Sequence, residues 1–146
     1  MTIRISGVHS TLVVIVPFRG EIGSGRYAQL DAFIPHITSF LLKFNALFRI
    51  FVISESPNQS RRLNRGILLN IGYVIARSSG FTHVVFHDVD LLSSIDLISC
   101  YHTQDKHHVH ITRVWGRHSN NLNYIGGIIT RAHRRRTRAR SINSSG

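Results

Sequence analysis

Apolar positions along the chain fall into short solid runs separated by stretches of helical period. Thr11-Leu12-Val13-Val14-Ile15-Val16 is β-branched, closed by Pro17, and reads as a buried strand. Phe48 to Ile53 and Thr82 to His87 read the same way. Between them Leu30, Phe33, Ile34, Ile37, Leu41 and Phe44 recur at spacings of three and four, which predicts a helix with one apolar stripe. Leu63, Ile67, Ile71, Val74 and Ile75 predict a second helix, with Ser60 as N-cap and Gly80 just past its end.

Strand, helix, strand, helix, strand, with strands apolar throughout, predicts an α/β fold with a mostly parallel sheet and helices on both faces. Such sheets bind ligands outside the carboxyl ends of their strands. Chemistry is therefore expected after strand one, at Pro17-Phe18-Arg19, and after strand three, at Asp88-Val89-Asp90. Later strands are expected at His107 to Val114 and Tyr124 to Thr130, joined by a polar loop. Residues 131–146 have no apolar periodicity and read as a basic, disordered tail following one domain of residues 1–130.

Composition sharpens this in three ways. The 146 residues, 42% of them apolar, suffice for one domain burying about two thirds of its unfolded surface. Six of the 18 basic residues lie between Arg131 and Arg140, and without them the net charge of +11 falls to +5. A single cysteine, Cys100, excludes an intrachain disulfide and a multi-cysteine zinc site. The apolar run from Leu12 to Phe18 is far below the ~20 residues of a membrane-spanning helix, so no signal or transmembrane segment is expected.

Alternation along an extended chain would put the carboxylates of Asp88 and Asp90 on one side, a platform for a hard divalent cation. The same pair also suits a turn. Arg19 could grip a diphosphate through its planar fork, and Leu63-Asn64-Arg65 opens a helix whose first amides favour anions. His83 and His87 flank strand three and His107, His108 and His110 cluster, without the spacing of a metal site; surface or core roles are expected for them.

In order, a strand ending Pro17-Phe18-Arg19, a helix opening Leu63-Asn64-Arg65 and continuing GILLNIGY, then FHDVDLL and finally NYIGG, the chain resembles the family 7 β1,4-galactosyltransferases. HDVDLL and FIPHITSFL point to the xylosylprotein type. The resemblance covers about residues 11 to 130. It implies a GT-A-type nucleotide-diphospho-sugar transferase fold, incomplete at its C-terminus, with a UDP-sugar, UDP-galactose, as donor and Mn2+ as cofactor. Position by position it implies donor contacts at Pro17, Phe18, Arg19, Arg26, Leu63, Asn64, Arg65, Asp88, Val89, Tyr124, Gly126 and Gly127, and a metal ligand at Asp90.

Departures from the family pattern are specific. A glycine-rich insertion, Gly20 to Gly25, displaces the second arginine to Arg26; Leu63 replaces an aromatic residue; and Asn121 stands where an aromatic often precedes the tyrosine. The family's Trp-Gly-Trp-Gly segment, its acidic catalytic base and its later metal-binding histidine have no counterpart, and Trp115 lies upstream of Tyr124. The expectation is donor binding with little or no transfer. The glycan or glycoprotein acceptor, the Golgi address and a membrane anchor outside these residues are implied by the resemblance alone. The competing reading is a basic module contacting nucleic acid or an anionic surface through Arg131 to Arg140, which leaves residues 11 to 130 unexplained. Nucleic acid is accordingly not an expected partner.

Overall fold

The computed structural model describes residues 11–21, 23–43, 47–56, 63–101, 109–111 and 128–132. Among these residues five strands form one sheet: β1 (Thr11–Phe18), β2 (Leu47–Ser54), β3 (His83–Phe86), β4 (Val109–His110) and β5 (Ile129–Ala132), in the order β2-β1-β3-β5-β4. β1 pairs in parallel with β2 and β3, and β5 runs antiparallel to β3 and β4. Helices α1 (Arg26–Leu42) and α2 (Arg65–Ser78) provide the two crossovers, and a 3-10 turn leads into the short helix α3 (Ile98–Tyr101). The α/β class and mostly parallel sheet predicted from the pattern are present.

The two faces can be read off β1. Leu12, Val14, Val16 and Phe18 join Phe33, Ile37, Phe40 and Leu41 of α1 in one apolar cluster, while Val13 and Ile15 join Ala76 of α2 in another. Alternation along a strand fully covered on both faces requires this division. The chain leaves β1 toward β2, then crosses back over β1 to reach β3, so the reversal point lies between the carboxyl ends of β1 and β3.

α1 uses the predicted stripe, burying Phe33, Ile37, Phe40 and Leu41, with Leu30 and Ile34 partly covered; Phe44 lies outside the described residues. α2 does not use its predicted stripe. Ile67, Ile71, Val74 and Ile75 are exposed, and Leu68, Gly72 and Ala76 face the sheet. The cause is the closeness of the approach: a Cβ at Gly72 would stand 2.5 Å from Ile15 Cγ2. A helix that near β1 must present its smallest residues, and the larger apolar ones are turned outward.

Capping fixes where α2 sits. Its N-cap is Asn64, whose Oδ1 accepts from the Ile67 amide at 3.1 Å, and Ser60 lies outside the described residues. At the other end Gly80 has φ +81°, as its place after the helix predicts, and the amides of Gly80 and Phe81 return to the carbonyls of Arg77 and Ala76. β3 stops at Phe86, opposite Ile15, so Pro17 lies where β1 pairs only with β2, which accommodates a residue without an amide hydrogen. β5 runs through Arg131 and Ala132, the first two residues of the stretch read as a tail. Residues 133–146 lie outside the described residues.

Candidate functional site

Three segments distant in sequence meet at the carboxyl ends of β1 and β3. The first leaves β1 at Phe18, which is buried and meets Tyr27 edge-on with ring centroids 5.5 Å apart. Arg19 follows, with its Nη2 2.7 Å from Glu21 Oε1. Ser24 folds the glycine-rich loop back, its hydroxyl and amide both donating to the Glu21 carbonyl at 2.7 and 3.1 Å. Gly23 and Gly25, at φ +82° and +69°, allow this tight return into α1, which begins at Arg26.

Leu63, ahead of α2, supplies the second segment. With Arg19, Glu21, Ser24 and Arg26 it lines a recess of about 130 Å³. Three residues expected on one ligand, Arg19, Arg26 and Leu63, thus share one recess despite the insertion before Arg26. Glu21 and Ser24 were not anticipated as part of it; a carboxylate two positions after the arginine was the available signal.

Arg65 connects α2 to the third segment, its Nε lying 2.9 Å from Asp88 Oδ1 with both side chains partly buried. Asp88 and Asp90 do not lie along an extended chain, as the alternation reading had them. Residues 89 and 90 form a turn closed by the Leu91 amide donating to the Asp88 carbonyl at 3.3 Å. Asp88 is half-buried and engaged by Arg65, Val89 is buried, and Asp90 is exposed. The two carboxylates therefore have different surroundings.

Beneath this turn lies a polar network that the motifs do not announce. His87 and Ser93 are the buried polar residues of the described core. His87 Nδ1 is 2.8 Å from the Asp88 carbonyl, its Nε2 is 3.2 Å from Ser93 Oγ, and Ser93 Oγ is 2.5 Å from the Tyr101 hydroxyl. His36 Nε2 donates to the Ser93 carbonyl at 3.0 Å and ties α1 to the same loop. Burial disfavours the imidazolium and pushes the His87 pKa down to about 4, outweighing the Asp88 carbonyl bond and the nearby Asp88 charge. Burial likewise raises the Tyr101 phenol, against a smaller lowering by its bond to Ser93.

The hydrogen-bond directions follow from what each atom can do. A carbonyl only accepts, so Nδ1 of His87 carries the proton; the ring is neutral, so Nε2 accepts from Ser93, whose oxygen in turn accepts from Tyr101. The core role expected for His87 is what the structure displays. Tyr124, Gly126 and Gly127 lie outside the described residues, as do His107, His108 and Trp115. Among the described residues no three His, Cys, Asp or Glu side chains converge to hold a metal ion, and no helix is long and apolar enough to cross a membrane.

Comparison with known proteins agrees with this arrangement. Residues 7–104 match the N-terminal region of glycosyl transferase group 7. Beta-1,4-galactosyltransferase 7 of Drosophila melanogaster is 36% identical over 87 residues, covering 60% of this chain and 24% of that protein. Xylosylprotein 4-beta-galactosyltransferase of Caenorhabditis elegans is 37% identical over 81 residues, 56% of this chain and 26% of that one. A crystal structure of a mutant Drosophila galactosyltransferase 7 with manganese, UDP-Gal and xylobiose superposes with a TM-score of 0.66 at 29% identity, covering 84% of this chain and 48% of the other.

This chain spans about a quarter of the length of these curated relatives. The family match embraces β1 to α3 and the three convergent segments, which a module built on Arg131 to Arg140 leaves unexplained, and the comparisons do not favour that alternative. The chain belongs to the group 7 glycosyltransferase family, to whose N-terminal region residues 7–104 correspond.

Proposed function

We propose that this chain forms the nucleotide side of a β1,4-galactosyltransferase, holding the diphosphate of UDP-galactose together with Mn2+ at the carboxyl ends of β1 and β3. The observation that carries the reading is the shared recess of Arg19, Arg26 and Leu63 after β1, with the turn bearing Asp90 following β3, the neighbouring parallel strand. A Drosophila relative of the same family has been solved with manganese, UDP-Gal and xylobiose bound.

Each residue has a role set by its chemistry. Arg19 and Arg26 offer planar guanidinium forks to the phosphate oxygens. Leu63 gives the base an apolar contact, and the first amides of α2 add anion-favouring dipoles. Arg65 holds Asp88, which fixes the start of the turn. Buried Pro17, Phe18 and Val89 keep the rims of the site in place. Asn64 caps α2, and Tyr124, Gly126 and Gly127 are assigned to the sugar side of the donor.

Asp90 is assigned to the metal. A hard divalent cation takes oxygen ligands and is commonly held by one or two carboxylates plus substrate phosphates, which suits a single exposed aspartate on the turn after β3. When bound, Mn2+ supplies positive charge that stabilises the leaving diphosphate. The acceptor is proposed to be a sugar hydroxyl of a glycoconjugate, and the place of action the Golgi. Calorimetric titration of UDP with and without Mn2+ tests the donor site: the metal should tighten binding to the wild-type chain and not to Asp90→Ala. Binding heat indifferent to both metal and substitution rejects the assignment.

A further inference from the structure

The turn bearing Asp90 hangs from a strand that has already ended. β3 stops at Phe86, yet the His87 amide still donates to the Ile15 carbonyl of β1 at 3.0 Å, so the backbone of His87 is the last point tied to the sheet. Its side chain turns inward and is fully buried, with its ring centroid 4.9 Å from that of Phe33 and 6.1 Å from that of Tyr101. An apolar ring would pack in that place as well. What histidine adds is a donor to the Asp88 carbonyl, the same oxygen that receives the Leu91 amide and closes the turn.

We propose that His87 is a positioning residue for the metal ligand of this site: through the Asp88 carbonyl it fixes the turn that presents Asp90, and the Tyr101–Ser93 relay holds it in the tautomer able to do so. The inference rests on the donor-site reading above. Its logic is one of matched polar atoms. A polar ring in an apolar core is costly to bury unless its nitrogens are satisfied, and here a single direction of donation satisfies both. If Ser93 offered Nε2 an acceptor rather than a donor, the neutral ring would gain by placing its proton there instead. Nδ1 would then lose its proton and face the Asp88 carbonyl as one acceptor against another. The clamp on the turn would open. Ser93 is itself held from two sides, by Tyr101 at its hydroxyl and by His36 at its carbonyl, so the tautomer is determined by α1, α3 and the intervening loop together.

A role confined to stability would lower the melting temperature without changing how metal and nucleotide couple. A positioning role changes the coupling. Residues that orient metal ligands at one remove commonly alter metal affinity by about 10- to 100-fold, and His87 acts through a backbone carbonyl, so the lower end is expected. The variants are His87→Phe, which keeps a ring and loses both hydrogen bonds; His87→Asn, whose side-chain amide can still donate toward the Asp88 carbonyl; and Tyr101→Phe, which leaves the imidazole in place.

Two measurements on the full chain decide the matter. Nitrogen-proton correlation of the histidine rings near neutral pH should find His87 protonated at Nδ1 alone; protonation at Nε2 alone overturns the proposal. UDP titration with and without Mn2+ should find that His87→Phe binds UDP alone within about twofold of wild type but loses about tenfold of the Mn2+-dependent gain, with His87→Asn recovering most of it. An unchanged gain in folded His87→Phe, or an equal loss with and without metal, overturns it. Should His87→Phe not fold, Tyr101→Phe carries the test, because it frees the Ser93 oxygen to accept from Nε2: a several-fold loss of the gain supports the relay and an unchanged gain refutes it. A wild-type chain without any Mn2+-dependent gain sinks the donor reading itself and this inference with it, a result distinct from a gain that the variants leave intact.

Discussion

Acidification should destabilise this protein in a window set largely by one buried ring. His87 has its pKa lowered from 6.5 to about 4, chiefly because burial strips the imidazolium of water. Below the unfolded value the unfolded chain takes up a proton that the folded chain refuses. Stability therefore falls as pH drops from about 6.5 toward about 4 and levels off below, where both states are protonated. At 1.36 kcal/mol per pKa unit the whole loss is on the order of 3 kcal/mol, with about 2 kcal/mol of it gone by pH 5. Against a total stability of roughly 5–15 kcal/mol this is a visible fraction. Urea denaturation across the window, for wild type and His87→Phe, isolates the term, because the other histidines among the ten and all carboxylates titrate in both proteins. The wild-type curve should fall more steeply, and the variant, although less stable near neutral pH, should close the gap as acid is added. Parallel curves would show that His87 takes its proton at the ordinary pH and that the network does not hold it neutral.

Three further outcomes follow from packing and charge. Gly72→Ala places a Cβ 2.5 Å from Ile15 Cγ2 and 3.1 Å from Ile53 Cγ1. Overpacking costs about 1–3 kcal/mol against about 1 kcal/mol of improved helix propensity, so urea denaturation should find a net loss; a stabilised variant would mean that α2 does not sit this close to β1. Glu21→Gln releases Arg19 from a half-exposed carboxylate and should tighten UDP binding by up to about fivefold in calorimetry, the scale of a surface ion pair, whereas weaker binding would show that Glu21 helps hold the ligand. A double-mutant cycle of Arg65→Met and Asp88→Asn should give a coupling on the order of 1 kcal/mol in stability, and none if the pair is incidental.

The parts of this structure that could be read from sequence are those governed by periodicity and by order along the chain. β1 is so uniformly apolar that only a strand covered on both faces accommodates it, and the spacing of Phe33, Ile37 and Leu41 leaves α1 one way to lie. The outward turn of Ile67, Ile71, Val74 and Ile75 was not legible, because apolar spacing records which residues could share a face and not how near the helix comes to the sheet. Gly72 settles that distance, and its effect depends on Ile15, a residue far away in the chain. The polar network was hidden for a similar reason. His87, Ser93 and Tyr101 have no informative spacing, and they meet only because the loop after β3 folds back under its own turn.

The unequal treatment of Asp88 and Asp90 bears most directly on the chemistry. Two carboxylates on one extended strand would have offered a cation a ready pair of ligands and would have repelled each other in its absence. The turn closed by Leu91 separates their tasks instead. Asp88 gives its side chain to Arg65 and its carbonyl to His87 and Leu91, and these contacts hold α2, β3 and the turn in register. Its charge is offset inside the protein whether or not a ligand is near. Asp90 is exposed beyond that clamp, and on the proposed assignment its negative charge serves a site whose recess holds two arginines. A diphosphate alone meets Arg19 and Arg26 favourably and Asp90 unfavourably, and a divalent cation reverses only the second of these. On this arrangement metal and nucleotide should bind better together than either does separately, a coupling located at Asp90 with Asp88 as its support.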